Sequence, residues 1–134
     1  MASFKVDTSM WPIVVHEVEG TLTDALLDAY VLEATAVFLR SGKHVTILDI
    51  SQMGSASAYA RSRSSAWFRE QRANLETSCL GLAYVIPSPL LRFITMTVLL
   101  VISLPTPYVV VQNRAEAVAW ARKRLAVNDE QPAT

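Results

Sequence analysis

The chain has 134 residues, enough to bury a single core but not two. Its 12 basic residues cancel its 12 acidic ones, and charged residues make up only 18% against roughly 25% in ordinary globular chains. With no positive excess, the balance excludes a protein built to wrap nucleic acid, and a hydrophobic fraction of 51% excludes intrinsic disorder.

The first run, Phe4 to Thr8, is an expected edge strand that turns back through Ser9, Met10, Trp11 and Pro12. Ile13 to Val18 (IVVHEV) is rich in β-branched residues and is followed by Gly20, so it reads as a strand. Thr21 and Asp24 have the spacing of a capping box. Leu27, Tyr30, Val31, Ala34, Val37 and Phe38 then recur at helical period, with Gly42 as the expected left-handed stop.

His44 to Ile50 (HVTILDI) is a near-continuous apolar run of strand length, as expected of a central strand covered on both faces. The Ser/Gly/Ala-rich stretch from Ser51 to Ala58 reads as a turn leading into a helix that continues to about Leu75. Leu80 to Ile86 is a further buried strand. Ser88 and Pro89 then supply an N-cap and a first-turn proline for a helix over Leu90 to Ile102. Pro105 and Pro107 break that helix, Tyr108 to Val111 makes a last strand, and Asn113 with Glu116 starts a final helix to about Ala126.

The order β-β-α-β-α-β-α-β-α implies an α/β domain with a mostly parallel sheet of four to five strands and about four helices. We read residues 1–127 as one domain and 128–134 as a flexible tail.

Chemistry-bearing motifs are sparse. The lone Cys79 allows no internal disulfide, and residues 1–7 lack the charged start and apolar stretch of a signal peptide, so a cytoplasmic location is expected. Leu90 to Ile102 is 13 residues, about 20 Å of helix, too short to span a bilayer. His16 and His44 lie 28 positions apart with one cysteine elsewhere, which is no zinc-type ligand cluster, so no metal and no cofactor are expected. His44 stands about 16 Å along its strand from Asp49, too far for a catalytic dyad, and no nucleophile elbow is present, so no catalytic residue is assigned. Asp49, near the carboxyl end of a parallel strand, is placed either for ligand contact or to cap the following turn.

Two features point to contacts with other chains. Arg61, Arg69 and Arg72 fall within about 80° of one another at helical pitch, while residues 1–60 carry three basic and seven acidic side chains. The molecule is therefore polarised, and the arginine face suits an acidic partner surface. The Leu90 to Ile102 helix has ten apolar residues in 13 and hardly any polar side. Leu91, Phe93, Ile94, Val98, Leu99 and Ile102 are its candidate interface residues for a homodimer or partner contact, and Phe93 and Met96 read as packing groups rather than ligand contacts.

VTILDIS (Val45 to Ser51), AYVIPSPLLR (Ala83 to Arg92) and EAVAWARKRL (Glu116 to Leu125) together resemble the STAS superfamily of sulfate-transporter and anti-sigma-factor-antagonist domains. The similarity is greatest to its small stand-alone SpoIIAA-like, or STAS/CRAL-TRIO-like, bacterial branch. The resemblance implies a non-enzymatic signalling domain with a regulatory protein partner, and places the family's phosphorylatable serine near Ser51, Ser55 and Ser57. Gly54 stands where that pattern has an acidic residue, and Ala56 aligns with the acceptor. A small-ligand site for a lipid or nucleotide is the competing class, and a serine hydrolase is a third.

Overall fold

The computed structural model describes residues 2–40 and 42–130. Five strands form one sheet in the order β1-β2-β3-β4-β5: Ser3–Met10, Ile13–Leu22, His44–Ala56, Cys79–Val85 and Tyr108–Val111. The β1–β2 pair is antiparallel and every later pair is parallel, so each step beyond β2 needs a helical crossover. Those crossovers are α1 (Asp24–Leu39), α2 with α3 (Ala58–Glu70 and Arg72–Ser78) and α4 (Pro89–Ile102); α5 (Arg114–Glu130) closes the chain.

Strand alternation sorts the core into two layers. Ile13, Val15, Val45, Ile47, Ala83 and Val85 face α5, where Ala117 and Ala121 let the helix approach closely. On the opposite face Leu82 packs with Ala34, Phe38, Trp67 and Leu75 of α1, α2 and α3. At the far end of that face, Val18 and Leu22 pack with Leu27 and Ala60.

The expected α/β class and its mostly parallel sheet are present, with five helices among the described residues rather than about four. The long second helix breaks at Gln71, whose backbone (φ −92°, ψ 9°) leaves the helical region. Three local readings are corrected. Thr23, not Thr21, caps α1, with its hydroxyl accepting from the Leu26 amide. That helix ends at Leu39 on an extended Arg40, and Gly42, at φ 119°, serves the connector to β3 instead of the helix stop. The stretch Ser51 to Ala56 is strand rather than turn, because β2 runs past Gly20 to Leu22 and pairs with it through Gln52, Met53 and Ala56.

The final helix continues to Glu130, so the anticipated tail is helical over 128–130, and 131–134 lie outside the described residues. Other caps stand as expected: Ser88 accepts from Leu91 with Pro89 in the first turn, and the Asn113 side chain accepts from Glu116. Glu116 itself reaches back to the Gln112 amide. No described helix is long and apolar enough to cross a membrane.

Candidate functional site

Glu17 of β2 and Asp49 of β3 are register partners on neighbouring parallel strands, and both belong to the face that α5 covers. Two carboxylates at strand spacing, about 4.8 Å, repel each other unless a cation joins them. Arg114, the first residue of α5, is that cation. Its Nε and Nη2 donate to Asp49 Oδ2 at 3.0 and 2.6 Å, and Nη2 also donates to Glu17. Ser51 completes the network, its hydroxyl donating to Asp49 Oδ1 at 2.6 Å and its amide at 3.1 Å.

Asp49 is buried. Burial pushes its carboxyl pKa up, but the bonds from Ser51 and Arg114 outweigh that and hold it below the usual carboxylate value. The surrounding polar depression is small, about 60 Å³. Asp49 stands mid-strand, at the last β3 position paired with β4, where it accepts the Ser51 amide two residues on and ties α5 to the sheet through Arg114.

Arg114 was missed in the sequence reading, although a signal existed. A cation at a helix N-terminus opposes the helix dipole, so an arginine directly after the Asn113 cap needs nearby anions.

The three serines separate. Ser51 is tied to Asp49, Ser55 is exposed on β3, and Ser57 is the N-cap of α2, accepting from the Ala60 amide at 3.0 Å and donating to Asp24 at 2.6 Å. A phosphate on Ser51 or Ser57 would thus face a carboxylate already held by that hydroxyl, which opposes its charge.

The arginine trio also divides. Arg61 and Arg69 share α2 but stand eight residues apart, about 12 Å along the axis. The Arg61 guanidinium folds back onto the Ala56 carbonyl at 2.8 Å. Arg72 belongs to α3 rather than to the same helix, yet it lines one groove with Arg69 and with Ile102 of α4.

Helix α4 is exposed along most of its length. Leu91, Phe93, Ile94, Val98 and Ile102 are all exposed, together with Leu90, Met96, Leu100 and Val101, the last at 82%. Leu99 is the exception at 5% exposed, so it anchors the helix inward and is not an interface residue. Phe93 and Met96, read as packing groups, stand in the open as well. Arg92 pins the helix start by donating to the carbonyls of Ile86 and Pro87 at 3.0 and 2.7 Å.

Among the described residues neither histidine is hydrogen-bonded to a serine: His16 Nδ1 is bonded to the Tyr30 hydroxyl at 2.6 Å, and His44 is stacked on Trp11 and lies against Phe38. Among the described residues no group of three His, Cys, Asp or Glu side chains is placed to hold a metal ion.

Neither a protein-family model nor a curated protein matches the sequence. Solved structures do match in fold. An uncharacterised protein of the DUF3478 family from Shewanella loihica PV-4, described as having a SpoIIAA-like fold, superposes with a TM-score of 0.66 at 13% identity, covering 90% of this chain and 95% of its own. The anti-sigma factor antagonist SpoIIAA in its unphosphorylated form gives a TM-score of 0.64 at 14% identity, covering 90% and 98%. The chain therefore has the SpoIIAA-like fold that the sequence resemblance implies.

Proposed function

We propose that this protein is a non-catalytic, STAS-like regulatory module that works in the cytoplasm through protein contacts, including contacts with a second copy of itself. The observation that carries the reading is α4: nine large apolar side chains stand exposed on one 14-residue helix. Isolated exposed apolar residues are ordinary, but a contiguous surface of this kind on a soluble domain marks an interaction site. The SpoIIAA-like fold supports the regulatory part, since one structural neighbour is an anti-sigma factor antagonist. The regulatory partner would meet the arginine-bearing side of α2 and α3 with a complementary acidic surface.

Sedimentation velocity over a range of concentrations tests the self-association. A reversible dimer is expected for the wild type, and the double variant Phe93→Glu, Val101→Lys should sediment as a monomer with unchanged far-ultraviolet circular dichroism. A wild type that remains monomeric at several hundred micromolar would overturn the self-association.

A further inference from the structure

The sheet ends in two edges of opposite character. At one, β1 carries devices that keep an edge from pairing: Lys5 and Asp7 stand on it, its register slips between Asp7 and Met10, and the Ser9 amide is taken by Asp7 Oδ1 at 2.8 Å. At the other, β5 reads YVVV, four strong strand formers in unbroken register with β4. None of the four is charged, and all are half-buried.

The β4 ladder sets which way the β5 backbone points. Pro107 and Val111 give their carbonyls to the Leu82 and Ile86 amides at 2.9 and 2.8 Å. Residues alternate along a parallel ladder, so Val109 also faces β4, while the N–H and C=O groups of Tyr108 and Val110 face away from it. Because β5 is the last strand of the sheet among the described residues, those four groups have no ladder partner.

Charge indicates what would cover this edge. From Phe93 to Asn113, through α4 and β5, 21 successive residues include no charged side chain. In a two-fold contact a residue near the axis meets its own copy, so a charge there would face itself. A contact with a foreign chain carries no such constraint. Helix α4 packs on β5, so its exposed apolar side chains adjoin the edge and belong to the same uncharged surface.

We propose that β5 pairs antiparallel with β5 of a second copy, joining two five-stranded sheets into one of ten strands. The inference rests on the self-association proposed above and gives it a register. With Val109 opposite its own copy at the two-fold axis, Tyr108 lies opposite Val110 of the second copy, and each such pair exchanges two N–H···O bonds. All four outward groups of each strand are then satisfied. Val109 falls in the close, non-hydrogen-bonded position, its Cα about 4.5 Å from that of its counterpart. Centring on Val110 instead would place Tyr108 opposite Gln112, whose amide is already held by Glu116.

Cross-linking reads the register. Val109→Cys, oxidised at a concentration where sedimentation finds the dimer, should form a disulfide across the axis. Val111→Cys, whose counterpart lies about 13 Å away along the strands, should cross-link at least tenfold more slowly. The buried Cys79 is common to both variants and to the wild-type control. Val110→Pro removes an outward amide without touching the β4 ladder, and should weaken the dimer at least tenfold while circular dichroism stays native. Amide exchange needs no variant: Tyr108 and Val110 should slow as wild-type concentration rises, whereas Val109, bonded to β4, should stay slow throughout. A dimer that Phe93→Glu, Val101→Lys dissolves but Val110→Pro leaves intact would overturn the edge pairing and leave self-association through α4 standing. Equal cross-linking at 109 and 111, or Tyr108 and Val110 amides that exchange equally fast in monomer and dimer, would do the same. A wild type that stays monomeric would overturn both.

Discussion

Arg114 and Asp49, 65 residues apart in sequence, are joined by two donated hydrogen bonds at 3.0 and 2.6 Å, so the start of the last helix is tied to the middle of the central strand. Because Glu17 shares the same guanidinium, removing it leaves two carboxylates in register with no cation between them. Arg114→Met should cost about 1–2 kcal/mol at neutral pH, a figure already reduced for the 42% exposure of the arginine side chain.

The pH dependence of this network follows from the depressed Asp49 pKa. The wild-type contribution is complete above the ordinary carboxylate value of 3.8 and is lost as pH falls through the lower folded value. The Met variant should therefore unfold at a higher pH on the acid side. Urea titration at pH 7 and an acid titration followed by circular dichroism check both effects; coincident curves for the two proteins would remove Asp49 from the account of how α5 is held.

Gly81 of β4 is reserved for Trp120 of α5. A Cβ added at Gly81 would lie 2.5 Å from one ring carbon of the tryptophan and 2.8 Å from another, closer than packed carbons approach. The Gly81 backbone is not left-handed, so the constraint is space and not conformation. Gly81→Ala should destabilise by about 1–3 kcal/mol as the indole and helix shift, and Gly81→Ala with Trp120→Leu should recover part of that loss. Chemical denaturation of the three variants measures the coupling, and additive effects would show that the two sites do not share the space.

The alternation of apolar strands and longer helical repeats made the α/β class legible, since runs such as His44 to Ile50 make sense only with both faces covered. What was not legible depends on partners far away in sequence. Ser51 to Ala56 carries turn-type residues and becomes strand because β2 continues beside it. The break at Gln71 has neither glycine nor proline to announce it. In α4 the lack of a polar side that flagged it as an interface also hid which residue turns inward, so Leu99 was indistinguishable from its neighbours. Asp49 was visible as a site, but its role depended on Arg114, whose pairing is a property of the folded chain.

Within α4, exposure should separate two classes of substitution. Leu99→Ala removes buried methyl groups and should cost about 2–4 kcal/mol. Val101→Ala, on a residue 82% exposed, should change monomer stability by less than about 0.5 kcal/mol. Thermal unfolding at a concentration low enough to exclude self-association makes the comparison. Equal losses at the two positions would mean that the helix is rotated from the orientation described.

His16 should make the fold sensitive to mild acid. Burial holds its imidazole pKa down at about 3, against 6.5 for the free group, with a smaller contribution of the same sign from His44. His44 is lowered too, chiefly by burial. The folded protein thus keeps the His16 ring neutral where the unfolded chain binds a proton, so this contribution to stability is complete above about pH 6.5 and declines as pH falls towards 3, and the lowered His44 acts in the same direction. Tyr30, whose hydroxyl is bonded to His16 Nδ1, is pushed up by its own burial and stays neutral throughout this range. Each histidine contributes up to one proton to the slope, about 1.4 kcal/mol per pH unit. The unfolding free energy from urea titrations between pH 7 and pH 4 should fall accordingly, and His16→Gln should flatten the slope by close to one proton. An unchanged slope in that variant would show that His16 is protonated in the folded state and not buried as a neutral ring beside Tyr30.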